Sequence, residues 1–254
     1  MADSPAKRHF ARVMAEKEAA KKAPGALMEG AGIYEQHMML LQEHTARLKN
    51  IQSGEGKAAF KREVLPQYRD YLAGVMSADT GAVDTVVSTS MVWLIDAGYY
   101  GDALDVAAYM LRHKLPLPDR FSRTTGCVVA EEIAEAALLA QQTGGEFDTS
   151  LLARAAELTA GEDMPDEVRA KLYLAAGRAV VRTASDDAPL PADLAEKCVA
   201  DLRRAIELHP NCGGKKDLER AERWLKKATP PANDSTDQGG TPASNTPPAD
   251  KADG

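Results

Sequence analysis

No run of the sequence approaches the roughly twenty apolar residues that a membrane-spanning helix requires, and the charged, alanine-rich N-terminus lacks the apolar stretch of a secretory leader. The expectation is a soluble protein that stays in the compartment where it is made. Cysteine is scarce. Cys127, Cys198 and Cys212 form an odd set with no CxxC pair, which argues against a disulfide framework or a zinc site and predicts free thiols in a reducing cytoplasm. Aromatic residues make up only 5% of the chain. A β sandwich draws on aromatic and β-branched residues, so helices packed closely on alanine are expected instead. Positive charge is also in deficit: the formal net charge of -7 argues against indiscriminate coating of nucleic acid. Local basic patches stay possible, because charges are screened over about 8–10 Å and binding follows patches rather than totals.

What is present is helical periodicity. "SPAKRHFARV" opens with Ser4 as a helix N-cap and Pro5 in the first turn, where its missing N–H costs nothing. Phe10, Val13 and Met14 fall on one face of this helix, and Arg8 and Arg12 on the opposite one. Over 82–96, Val83, Val86, Val87, Met91, Leu94 and Ile95 follow helical spacing; the turn "DAGYYGD" comes next, then "ALDVAAYMLRH". Two helices joined by a short glycine-containing turn make a hairpin. Further helices are expected near 33–50, 57–77, 126–142, 149–160, 165–183, 191–208 and 214–228. "WLIDAGYYGDALDVAAYML" and "KLYLAAGRAVV…DLRRAIELHPN" both look like tetratricopeptide-type hairpins without a regular period. The predicted fold class is therefore all-α, an irregular stack of helical hairpins. From Thr229 onward Pro, Ser, Thr, Asp and Gly dominate, and such a segment buries too little apolar area to offset its ordering entropy. The expected division is 1–55, a basic helical region, to which the family resemblance given below assigns DNA binding or oligomerisation; 56–228, a helical-hairpin core; and 229–254, a disordered tail.

Most catalytic motifs fail on inspection. "SGEGKAAF" imitates a phosphate-binding loop, but Ile51 stands where the first glycine belongs and Ala58 where a Ser or Thr would hold magnesium. His37 and His44 lie two helical turns apart, too far for a close pair of metal ligands. Neither a nucleophile elbow nor HExxH occurs. "GEDMPDEVRAKLY" places Asp163, Asp166, Glu167 and Lys171 together, residue types that metal-dependent nucleases use to hold Mg²⁺ and polarise water. The same residues also read as an ordinary helix start, with acidic side chains at the positive end of the dipole and Glu167 spaced to pair with Lys171. The helix-start reading is favoured, because such nucleases usually mount carboxylates on a strand.

Basic residues gather in three places: Lys7, Arg8 and Arg12; Lys57, Lys61, Arg62 and Arg69; and Arg112, His113, Lys114, Arg120 and Arg123. A charge run is usually a solvated face. Arginine's planar fork suits phosphate oxygens, which favours Arg120 and Arg123 in their Pro-rich connection.

In order along the chain, "SPAKRHFARV", "YEQHMMLL", "KREVLPQY", "MVWLIDAGYYGDALDVAAYMLRHKLPLPDRFSRT", "AEEIAEAALLA", "ELTAGEDMPDEVRAKLYLAAG" and "KKDLERAERWL" resemble the terminase small subunit of temperate contractile-tailed phages, the gpM family, also called the terminase endonuclease subunit. The resemblance runs from about Ser4 to Leu225. It implies a subunit that binds the packaging or cohesive-end site on concatemeric double-stranded viral DNA and recruits the large ATPase subunit. It also implies a homo-oligomeric ring, a location in the bacterial host cytoplasm, and no membrane partner. On this reading Lys7, Arg8, Arg12, Lys61, Arg62, Arg120 and Arg123 are the DNA-binding candidates, and no metal or cofactor is required. The alternative is intrinsic Mg²⁺-dependent cutting of the cohesive ends, with Asp163, Asp166, Glu167 and Lys171 as its only candidates. Some relatives end in a lysine- and arginine-rich tail, whereas this tail is acidic and Pro-rich.

Overall fold

The computed structural model describes residues 4–30, 32–118, 122–185, 187–188 and 190–228. Short polar side chains set many of the helix starts. Ser4, Ser53, Asp84, Thr124 and Asp148 accept first-turn backbone N–H groups of α1 (Pro5–Ala19), α3 (Gly54–Val64), α5 (Thr85–Asp96), α7 (Thr125–Gln142) and α8 (Thr149–Leu158). Pro165 and Pro191 directly precede α9 (Asp166–Val181) and α10 (Ala192–Leu208). The remaining helices are α2 (Gly32–Lys49), α4 (Arg69–Ala78), α6 (Tyr100–Arg112) and α11 (Lys215–Ala228). Among the described residues there is no strand, only an isolated bridge between Leu27 and Val83. The protein is all-α. The tail expected to be disordered, 229–254, lies outside the described residues.

One predicted helix is in fact two. The segment expected over 57–77 breaks at a 3-10 turn, Leu65–Gln67, between α3 and α4. Pro66 is the cause: it has no N–H to donate and its ring crowds the preceding turn.

The inward face of α1 also differs from the apolar pattern. Ala15 and Ala19 are fully buried, while Phe10 is 58% exposed. The reason lies on α4. A Cβ added to Gly74 would sit 2.2 Å from the Arg12 carbonyl oxygen and 2.8 Å from the Ala15 Cβ. The two helices touch almost backbone to backbone, an approach open only to glycine and alanine, so an alanine spine takes the buried place and phenylalanine is left outside. Between α9 and α10 a glycine makes room for a side chain instead: a Cβ on Gly177 would lie 2.6 Å from Leu202 Cγ.

One apolar cluster runs from Ala15 to Ala175 and passes position 55 without a break. A second joins α9, α10 and α11 around Leu202, Cys198 and the fully buried Trp224. Helix α9 serves both, giving Val168 and Leu172 to the first and Leu174 and Val181 to the second.

Most polar groups inside the first cluster are paired, the fully buried Ser90 hydroxyl being an exception among the described residues. The Tyr71 hydroxyl donates to Asp84 Oδ2 at 2.5 Å, while Asp84 Oδ1 accepts from the N–H groups of Val86 and Val87 at 2.8 and 3.0 Å. His37 stacks on Tyr71 with ring centroids 4.3 Å apart and hydrogen-bonds the Ile33 carbonyl at 2.9 Å. His44 Nδ1 and the Tyr68 hydroxyl are hydrogen-bonded at 2.7 Å, and burial holds the His44 imidazole below its ordinary pKa. Both histidines of the rejected metal pair are thus core residues.

Candidate nucleic-acid interface

Three of the sequence-selected cations stand in a row on α1. Lys7, Arg8 and Arg12 are exposed and form no ion pair among the described residues. Their helix is held by its alanine face, so the long basic side chains are free to meet a ligand without giving up a structural contact.

The second and third basic clusters converge. A cleft of about 560 Å³ is walled by α2, α3, α5 and α7 and by the segment before α7. It gathers Lys49, Lys57, Lys61 and Arg123 against two carboxylates, Asp96 and Glu132. Residues 57–61 and 123 are far apart in sequence and meet only because α3 and α7 both pack near α5. No residue of α1 lines the cleft.

These cations are not equally available. Lys61 forms an ion pair with Asp96 and its side chain is only 12% exposed. Arg123 pairs with the buried Glu131, which also accepts from Lys171 Nζ at 2.9 Å. Lys49 is exposed, Lys57 is half-buried, and neither has an ion-pair partner among the described residues. Burial raises the Glu132 carboxyl above its ordinary pKa, with Glu135 and Asp96 adding to the effect. Glu132 therefore gives up its negative charge more readily than a free carboxylate would.

Other selected residues serve the fold. Arg62 Nε donates to the Ala97 carbonyl at 2.9 Å and so closes the C-terminus of α5. Arg112 and His113 both reach Asp79 Oδ1 at 2.7 Å, and the His113 hydrogen bond is the chief reason the Asp79 carboxyl titrates below its ordinary value. Arg120 lies outside the described residues.

The acidic candidates disperse. Asp163, Asp166 and Glu167 are exposed at the start of α9. Lys171 does not pair with Glu167; it turns to α7, reaching Glu131 at 2.9 Å and Glu135 at 2.6 Å. The i, i+4 spacing allowed the intrahelical pair, but two carboxylates on the neighbouring helix outcompete it. Glu167 instead lies 3.8 Å from His209 Nδ1. Among the described residues no group of three or more His, Cys, Asp or Glu side chains could hold a metal ion.

Lys49 was missed by sequence reasoning, as were the acidic partners Asp96 and Glu132. Lys49 belongs to the last turn of α2, where a basic residue already has a local explanation in the helix dipole. Nothing local marks it as facing α3 and α7.

These features define a helical protein whose acidic body carries two separate cationic surfaces, one on a helix and one in a cleft. Residues 38–167 match the family model described as Phage small terminase subunit. Over 228 residues the chain is 40% identical to the "Terminase, endonuclease subunit" of Escherichia phage P2, covering 90% of this chain and 88% of that relative. The chain belongs to the phage small terminase subunit family, whose general role is DNA packaging. No solved structure matches it. The matched segment contains the whole cleft, from Thr45 to Glu132, and leaves α1 outside. No helix among the described residues is long and apolar enough to cross a membrane.

Proposed function

We propose that this chain is the DNA-recognition and adaptor subunit of a packaging terminase. It binds the packaging or cohesive-end site of double-stranded viral DNA, recruits the large ATPase subunit and acts in the bacterial host cytoplasm. The observation that carries this reading is that Lys49 and Lys57, without ion-pair partners among the described residues, line one cleft beside the ion-paired Lys61 and Arg123 in a chain whose net charge is -7. Cations concentrated against an acidic background grip a phosphate backbone locally, and the acidic remainder limits binding elsewhere. Assembly into a homo-oligomeric ring multiplies the α1 row and the cleft around one duplex, so modest contacts sum to useful affinity. The adaptor role needs no cofactor of its own.

The test is a salt titration on cohesive-end DNA. Log affinity should fall against log salt by about 0.9 per phosphate neutralised. Replacing Lys7, Arg8 and Arg12 together, or Lys49 and Lys57 together, with Ala should weaken binding and flatten that slope. An unchanged titration removes the altered surface from the interface. No binding by the unaltered protein even in dilute buffer would overturn the reading.

A second reading is favoured by the printed name of the phage P2 relative: this chain itself cuts the cohesive ends with Mg²⁺. Asp163, Asp166, Glu167 and Lys171 are its candidates. It predicts Mg²⁺-dependent nicking by the isolated chain, lost in Asp166→Ala or Glu167→Ala with the helical circular dichroism unchanged. Cutting that requires the large subunit assigns the chemistry there.

A further inference from the structure

A second groove, of about 550 Å³, lies between α8, α9 and α10 and shares no lining residue with either cationic surface. Leu152, Leu172 and Val180 lie along it among several alanines, including Ala153, Ala156 and Ala176. The small side chains on α8 and α9 leave a trough where larger ones would fill it. At its border Leu194 stays 43% exposed. The charged lining residues are Arg169, Lys197 and Arg204 against Asp201 alone. Lys197 pairs with Asp201 at 3.0 Å and Arg204 with Glu207 at 3.0 Å, and both cations are more than half exposed. Both partners of the Arg204–Glu207 pair are exposed, and such a pair holds only weakly, so Arg204 can exchange its carboxylate for one on an incoming chain at little cost, while the ammonium of Lys197, bound to the largely buried Asp201, stays exposed to accept a second carboxylate.

We propose that this groove seats an amphipathic helix of the large packaging subunit, with apolar residues at i, i+3, i+4 and i+7 inside the trough and acidic residues toward Lys197 and Arg204. The proposal rests on the recruitment reading given above. Charge complementarity selects the acidic flanks, and the apolar trough selects a stripe of large side chains. Two other occupants fit less well. Residues 229–254 of this chain are acidic but contain no Leu, Ile, Val, Met, Phe, Tyr or Trp to fill the trough. A second copy offers at best a partial stripe: among the described helices Phe10 of α1, Met39 of α2, Leu139 of α7 and Leu194 of α10 are the exposed large apolar side chains, one to a helix, and Val13 and Met14 beside Phe10 are half-buried.

The experiment mixes the purified full chain with the purified large subunit and reads complex formation together with amide hydrogen exchange. Binding should protect α8, α9 and the start of α10. Ala153→Trp, on an exposed position that fills the trough, should weaken the complex at least about tenfold, as should Lys197→Glu combined with Arg204→Glu. The DNA shift of both variants should stay as it was, which shows that they fold. A complex that forms with the groove unprotected, or that these variants leave at full strength, overturns the groove assignment alone. Failure of the unaltered proteins to associate overturns recruitment and the groove together. Protection by residues 229–254 or by a second copy, seen as a change on truncation at 228 or on dilution without the large subunit, overturns the choice of occupant.

Discussion

Gly74→Ala is the sharpest perturbation of the way this fold presents its basic N-terminal helix. The added methyl would lie 2.2 Å from the Arg12 carbonyl oxygen, 2.8 Å from the Ala15 Cβ and 3.0 Å from the Glu16 nitrogen. Two of those three atoms are backbone and cannot rotate away, so relief requires α1 to move outward. Overpacking of this kind costs about 1–3 kcal/mol, and the rigid contact puts it at the upper end. Alanine in place of glycine within a helix returns roughly 1 kcal/mol. The balance is a loss of about 2 kcal/mol, or roughly 4–8 °C in Tm for a chain of this size. Amide exchange should localise the damage to α1 and α4, and DNA affinity should fall as the Lys7, Arg8 and Arg12 row loses its fixed position. A variant with equal or higher Tm and unchanged exchange in α1 would refute the close-crossing account. A gain of about 1 kcal/mol would mean that propensity alone governs the site.

Burial raises the Asp84 carboxyl to about 6, against the hydrogen bonds from Tyr71, Val87 and Val86 that favour its charged form. The folded state therefore holds this proton more tightly than the unfolded chain does. The contribution to stability is complete below the unfolded pKa and is lost as pH rises through about 6. Asp84→Asn keeps an acceptor for the Val86 and Val87 N–H groups and removes the titration. Urea unfolding should show the variant gaining on the unaltered protein as pH rises from about 4 to about 7, and a flat difference would refute the account. In the acidic cluster, Lys171→Met should cost about 1–3 kcal/mol, because Glu131, only 8% exposed, would lose one of its two cationic partners. Asp166→Ala and Glu167→Ala should each cost no more than about 1 kcal/mol, the worth of an acidic residue in a helix's first turn. The opposite ranking in chemical denaturation would contradict the placement of Lys171 against α7.

Much of the local structure was legible in the sequence because its causes are local. Ser4 and Pro5 announce α1, and the apolar spacing of 82–96 and the glycine turn that follows announce the α5–α6 hairpin, each through a few neighbouring residues. The break at Pro66 was legible in principle; the continuous apolar period on either side masked it. The inward face of α1 was not legible. Phe10 outweighs alanine in any apolar pattern, and nothing in residues 5–19 reveals that the partner helix carries Gly74 at the crossing.

The candidate site divides in the same way. The sequence by itself determined that the chain is helical, that its net charge is negative, and which three stretches are basic, since propensity, capping and charge belong to residues and their near neighbours. Only the tertiary structure decided which cations remain free, which are spent on Asp96, Glu131 or Asp79, and that Lys49 joins Lys57 in a cleft. Those outcomes depend on which helices lie side by side. A charge is neutralised by whatever stands within a few ångströms of it, and along this chain such neighbours come from positions 35 residues away for Lys61 and Asp96 and 40 for Lys171 and Glu131.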